Sequence, residues 1–123
     1  VSKTVQENAY AKEQDIVVAP PPEPLASFDL PEFSSVTADN DPHFLKMQVA
    51  LGYDSDQNAS TELLTRKEEI VHIINILLRG KTYGELNSVE GKINFAEEIK
   101  AQLNVRLTSG RVKEVYFKEF VLN

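Results

Sequence analysis

A chain of 123 residues, 41% of them apolar, is long enough to close one modest core. Its net charge of −6 is unevenly placed: residues 1–42 carry eight acidic groups against Lys3 and Lys12, whereas residues 43–123 carry eleven groups of each sign. The neutral part has no Lys/Arg cluster to drive nucleic-acid binding or attraction to anionic lipid, and the absence of cysteine excludes disulfides, thiolate metal sites and cysteine nucleophiles.

Residues 1–24 mix Glu, Gln, Lys and Asn and end in Pro20-Pro21-Pro22-Glu23-Pro24, a composition that predicts a disordered, semi-rigid linker. Within it, Ile16-Val17-Val18 is apolar and β-branched and can add an edge strand. The chain opens at Val1 without a basic and then apolar leader. Its longest apolar runs, such as Ile73–Leu78 interrupted by Asn75, fall far short of the roughly 18 residues a membrane span needs. The expectation is an excised piece whose upstream anchor or signal was removed.

Residues 25–123 read as the folded domain. Phe28, Leu30, Phe33 and Val36 are irregularly spaced around Pro31, which suggests an edge strand or extended pass, and Asp39-Asn40-Asp41-Pro42 is a turn. Leu45, Met47, Val49, Leu51 and Tyr53 alternate with Phe44, Lys46, Gln48, Ala50 and Gly52, the pattern of a strand with one apolar face. A helix is expected over Leu63–Leu78, its stripe formed by Leu63, Ile70, Val71, Ile73, Ile74, Leu77 and Leu78; Ile76 lies outside the stripe. Gly80 ends it, and Thr82 with Glu85 forms a capping box for a single turn. A second helix over Val89–Leu107 is expected to bury Val89, Ala96, Ile99 and Leu103, with Asn87 and Glu90 as its capping pair. The last run, Arg111–Leu122, places Val115, Phe117 and Val121 on one face and Tyr116, Phe120 and Leu122 on the other, which suggests a central or covered strand. The sum is an α+β domain of order β-β-α-α-β, with helices on one side of a small sheet.

None of the short motifs carries chemistry. Asp54-Ser55-Asp56 begins like a calcium loop, but Ala59 stands where the bend needs glycine and Thr65 where a bidentate glutamate belongs. Gly84 and Gly91-Lys92 are too far apart for a phosphate loop, and Ile93 replaces its Ser/Thr. Glu68, Glu69 and His72 share a helix face, yet His43 is distant and no third ligand is visible, so a solvated face is the expectation. Asn58-Ala59-Ser60 matches the short glycosylation pattern, which is too common to carry weight. No catalytic residue, cofactor site or metal site follows from these residues.

One combination of pieces is more specific: the Leu/Ile-rich helix ending in Leu77-Leu78, the connector Lys81-Thr82-Tyr83, Leu86 before Ser88 and Glu90-Gly91-Lys92, and the terminal Val115-Tyr116-Phe117 with Glu119-Phe120-Val121. This order resembles the C-terminal domain of the FliL family of flagellar basal-body-associated proteins, over roughly residues 25–123. Gly80 and Val89 depart from the serine and proline usual there. The resemblance implies a stomatin/prohibitin-like fold. It also implies a single-pass protein of the bacterial inner membrane, with this portion in the periplasm and the membrane helix outside it. The implied role is non-enzymatic: a ring of copies around the stator unit that stabilises its active state by holding the linker of the stator protein MotB, with MotA a further partner. The residues expected to serve subunit or stator contacts are Phe28, Phe33 and Ile76. Two other classes stay open from the residues alone: a membrane-anchored stomatin-like scaffold unrelated to flagella, and an envelope enzyme built on the Glu68/Glu69/His72 face.

Overall fold

The computed structural model describes residues 24–123; the linker expected over residues 1–24, with its Ile16–Val18 patch, lies outside the described residues apart from Pro24. The elements are β1 (Ala26–Asp29), β2 (Phe33–Val36), β3 (Phe44–Tyr53), α1 (Gln57–Thr65), α2 (Lys67–Arg79), α3 (Tyr83–Leu86), α4 (Val89–Asn104) and β4 (Val112–Leu122). This is the expected α+β domain, with helices on one side of a small antiparallel sheet.

The alternating segment becomes the central strand. β4 pairs along one edge of β3, while β1 and β2 share the other, β1 against Ala50–Tyr53 and β2 against Phe44–Met47. The single extended pass expected over residues 27–36 is therefore two strands. Pro31 has no N–H to give the ladder, so pairing stops there. Leu30 still donates to the Val49 carbonyl at 3.0 Å, which keeps the broken strand on line.

Register explains the core. Leu45, Met47, Val49, Leu51 and Tyr53 stand opposite Leu122, Phe120, Phe117, Val115 and Val112, so both strands turn their apolar residues to the helices. Two irregularities, skipping Lys118 and Lys113, make this possible. They also correct the expected faces of the last strand: Phe117 and Phe120 share one side, their rings 5.4 Å apart edge to face, and Val121 is turned out. Among the described residues the strand lies at an edge of the sheet rather than at its centre.

The helix expected over Leu63–Leu78 breaks at Arg66 into α1 and α2. Leu63, Ile70, Ile73, Ile74 and Leu78 are all buried, so the apolar phase runs through the break and gives no sign of it. Gly80 caps α2 and Thr82 with Glu85 forms the capping box on α3, as the residues suggest. α4 differs in two respects. Its cap is Ser88, whose hydroxyl accepts from the Gly91 N–H, rather than Asn87. Its buried stripe is Phe95, Ile99 and Leu103, whereas Val89 is 75% exposed; on a helical wheel Val89 sits roughly 120° from Phe95. The Phe95 ring stacks on Phe117 at 5.9 Å and ties α4 to β4.

Candidate interaction surfaces

Three surfaces of the domain gather exposed apolar side chains, with Leu64 and Val105 exposed elsewhere, and a set of polar ties joins the elements between them. The strongest tie is Glu62, at the end of α1. Its carboxylate accepts from the Thr108 N–H (2.9 and 3.0 Å), the Thr108 hydroxyl (3.0 Å), the Ser109 N–H (2.7 Å) and Arg66 Nε (2.9 Å). Burial alone would push this carboxyl up, but the backbone donors of Ser109 and Thr108, with Arg66, outweigh it and hold it at about 2. With its acceptor capacity filled, Glu62 is a latch between α1 and the loop before β4. The i,i+4 spacing to Arg66 points to the smaller half of this arrangement; the partner loop, 46 residues on, leaves no local signal.

The connector is tied just as closely. Asp39 accepts from the Tyr83 N–H at 2.8 Å, and its carboxyl is held low by the Thr37 hydroxyl and by Tyr83. Glu85 is held low by the Thr82 backbone N–H and hydroxyl. His43 packs against Tyr83, centroids 4.1 Å apart and rings tilted by 35°, and its Nδ1 meets the Asn123 oxygen at 2.6 Å, so the start of β3, the end of β4 and α3 converge there. Lys81 pairs with Glu98 at 2.6 Å. Gly91 is required by close approach: a Cβ there would lie 1.9 Å from the Glu85 carbonyl oxygen.

The first surface is the bare face of the sheet, opposite the helices. Phe44 and Val36 are direct cross-strand neighbours there, Val121 lies beside them opposite Lys46, and Tyr116 lies over Gly52 further along. Phe44, Tyr116, Val121 and Val36 are each between 38% and 52% exposed. The ion pairs Lys46–Glu32 and Lys118–Asp29 separate the two ends of this apolar strip. The second surface is the outer row of α4, Val89 and Ile93, one turn apart. The third is a groove of about 570 Å³ between α2 and β2, lined by Phe33, Val71, Ile76, His72 and Arg79 among others.

The three residues expected at contacts are placed differently by the fold. Ile76 is 57% exposed in the α2 groove, Phe28 is half-buried under the sheet, and Phe33 is only 2% exposed. Facing Met47 across the ladder, the Phe33 side chain belongs to the core and has almost no surface to offer a neighbour in this chain. Phe44 and Tyr116 were missed because each stood in a row read as the polar or covered phase of its strand. The cross-strand pairing of Val36 with Phe44, which only the register supplies, is the signal that finds them. Glu68, Glu69 and His72 are all exposed along α2, and Glu69 is engaged by Arg66 and Arg106; among the described residues no three His, Asp or Glu side chains converge as a metal site.

Residues 27–122 match the family of the flagellar basal body-associated protein FliL. The chain belongs to the FliL family. A search of curated proteins found no significant match. Membership in FliL makes this domain a flagellar accessory associated with the basal body, in a family not known for enzymes. No helix among the described residues of this FliL domain is long and apolar enough to cross a membrane.

Proposed function

We propose that this FliL domain works as a non-enzymatic part of the flagellar motor, in the periplasm, where copies anchored in the inner membrane form a ring around the stator unit and hold the MotB linker in its active state, with MotA as the further stator partner. The observation that carries the reading is the family match over residues 27–122. Support comes from the distribution of apolar surface. A ring is a head-to-tail assembly, so each copy must present two different patches. The bare sheet face with Phe44, Tyr116 and Val121, and the α4 row with Val89 and Ile93, are two such patches on different layers. Ile76 stays with the groove between α2 and β2.

The test uses the full-length protein in its own cell. Because residues 1–123 contain no cysteine, cysteines introduced one at a time along the MotB linker and at Phe44 or Ile93 report neighbours above the signal of the unsubstituted proteins. Expected are crosslinks to MotB, a ladder of FliL multimers, and loss of motility under load when the protein is deleted. Full motility of the deletion strain together with no crosslink to MotB would overturn the reading.

A further inference from the structure

Nothing in the local sequence asks the helix to stop at Arg66. The residues around it, Leu64-Thr65-Arg66-Lys67-Glu68, include no glycine or proline, and all but Thr65 are good helix formers. Thr65 and Glu68 have capping-box spacing, but Thr65 lies inside α1, and the cap position of α2 is Arg66, whose side chain makes no capping bond. The apolar phase is continuous as well: Ala59, Leu63, Ile70 and Ile74 are all buried, and on one helical wheel they fall within about 60° of each other. The interruption amounts to one residue, Arg66 at φ −96° and ψ 13°, whose ψ differs by about 55° from that of a regular helix.

A break without a local cause is held from outside, and the Glu62 carboxylate is placed to hold it. It stands one turn before Arg66, its side chain is 9% exposed, and the Thr108 and Ser109 donors fix it to the loop before β4. Ser60 adds a hydroxyl contact to Tyr53 on β3 at 2.8 Å. The bend covers apolar surface, since Tyr53, Ala59, Leu63, Leu107 and Gly110 close around one small enclosed space. It gives up helix hydrogen bonds, because Lys67, Glu68 and Glu69 are the first residues of α2 and have no carbonyl four residues back in their own helix.

We propose that α1 and α2 are two halves of one helix held bent by the Glu62 latch, and that releasing the latch joins them into a continuous helix from Gln57 to Arg79, lifting α1 off Tyr53 and Leu107. Straightening at Arg66 gives the three free N–H groups the carbonyls of Leu63, Leu64 and Thr65 and keeps Leu63 in phase with Ile70. Those bonds favour the straight form, whereas the latch and the burial of Ala59 and Leu63 favour the bent one. The latch decides between them. A displacement of the loop that withdraws Thr108 and Ser109 acts as removal of the carboxylate does, so the position of this loop is transmitted to α1. The device stands independently of the motor role.

The experiment is NMR-detected amide exchange in the full chain and in its Glu62→Gln variant, glutamine being chosen because its helix propensity is close to that of glutamate. In the variant the Lys67, Glu68 and Glu69 amides should exchange about threefold more slowly than in the native chain, as expected if about two-thirds of the molecules have the continuous helix, while the Thr108 and Ser109 amides exchange faster. A contact that merely supports α1 would act the other way and loosen residues 67–69 with the rest. Unchanged or faster exchange at those three amides would overturn the proposal. Thr108→Ala weakens the latch from the loop side with both helices unaltered, and it should slow the same amides by a smaller factor; no slowing there would count equally against it. The slowing should vanish when Arg66→Gly is added to Glu62→Gln, because glycine disfavours continuation of the helix, and a slowing that persists would show that the helices have not joined.

Discussion

The two faces of the sheet are built from the same strands and do opposite things. On the helix-covered face, Leu45, Met47, Val49 and Leu51 have no exposed surface, and each has an apolar partner across the ladder within one core cluster shared with the helices. On the bare face, Phe44 and Tyr116 are nearly half exposed, and the polar strip between them is closed by two surface ion pairs. Burial of this kind contributes a few kcal/mol per large side chain, whereas surface ion pairs contribute a fraction of one. The covered face therefore holds the stability, and the apolar residues of the bare face are the ones the proposed assembly would use.

The sharpest way to break this comparison is to empty the covered face. Ile74→Ala should cost about 3 kcal/mol, because α2 cannot collapse onto a sheet already fixed by β3 and β4, and urea unfolding followed by circular dichroism measures the loss. A cost below about 1 kcal/mol would mean that the core is looser than its burial indicates. The next effect belongs to the seam between α3 and α4. Gly91→Ala drives a methyl group into the Glu85 carbonyl and should cost about 2 kcal/mol, whereas Gly84→Ala meets nothing within 4 Å and should be neutral or stabilising by up to about 1 kcal/mol. The pair separates close approach from generic intolerance of glycine replacement.

Glu62 sharpens the comparison within the helical layer, because it is polar yet does the work of a core contact. Glu62→Gln should cost about 1–2 kcal/mol at neutral pH, since the amide cannot accept all of its donors and its own N–H groups face them. The folded carboxyl is held at about 2 against an ordinary 4.5, so its stabilising contribution is fully present above pH 4.5 and is lost as the pH falls toward 2. The gap between the native protein and the variant, followed by denaturant titration at successive pH values, should close over that window. A gap that stays constant through it would show that the carboxylate is not what holds Thr108 and Ser109.

The smallest effect on stability is expected on the bare face. Phe44→Ser or Tyr116→Ser should lower unfolding free energy by only about 1 kcal/mol, because nearly half of each ring is exposed. A loss of several kcal/mol would mean that these rings serve the fold after all.

What could be read from the chain divides along the same line. The alternation of Leu45 through Tyr53 and the stripe from Ile70 to Leu78 report burial directly, because each repeats with the period of its own element. The break at Arg66 was not legible, since Leu63 keeps the same phase on either side of it. Nor were the skipped residues Lys113 and Lys118, because a bulge is set by the partner strand, and without it Phe117 and Phe120 fall on opposite faces. Ile76 is exposed, as its place off a clear stripe suggests. Phe33 was misjudged because the irregular spacing around Pro31 concealed that its neighbour across the ladder is Met47. The Glu62 latch joins residues 46 apart and could not be seen locally at all.

The most direct test of the account is to localise the fluorescently tagged full-length protein in its own cell, comparing the native chain with one carrying Phe44→Ser, Tyr116→Ser and Val121→Ser together, after unfolding measurements have established that the variant is folded. The account predicts foci at flagellar bases for the native protein, lost when the stator proteins are absent, and a diffuse signal for the variant despite its intact fold. Foci of equal number and brightness for the folded variant would contradict the assignment of the bare sheet face to assembly, and a diffuse native signal would contradict the stator role itself.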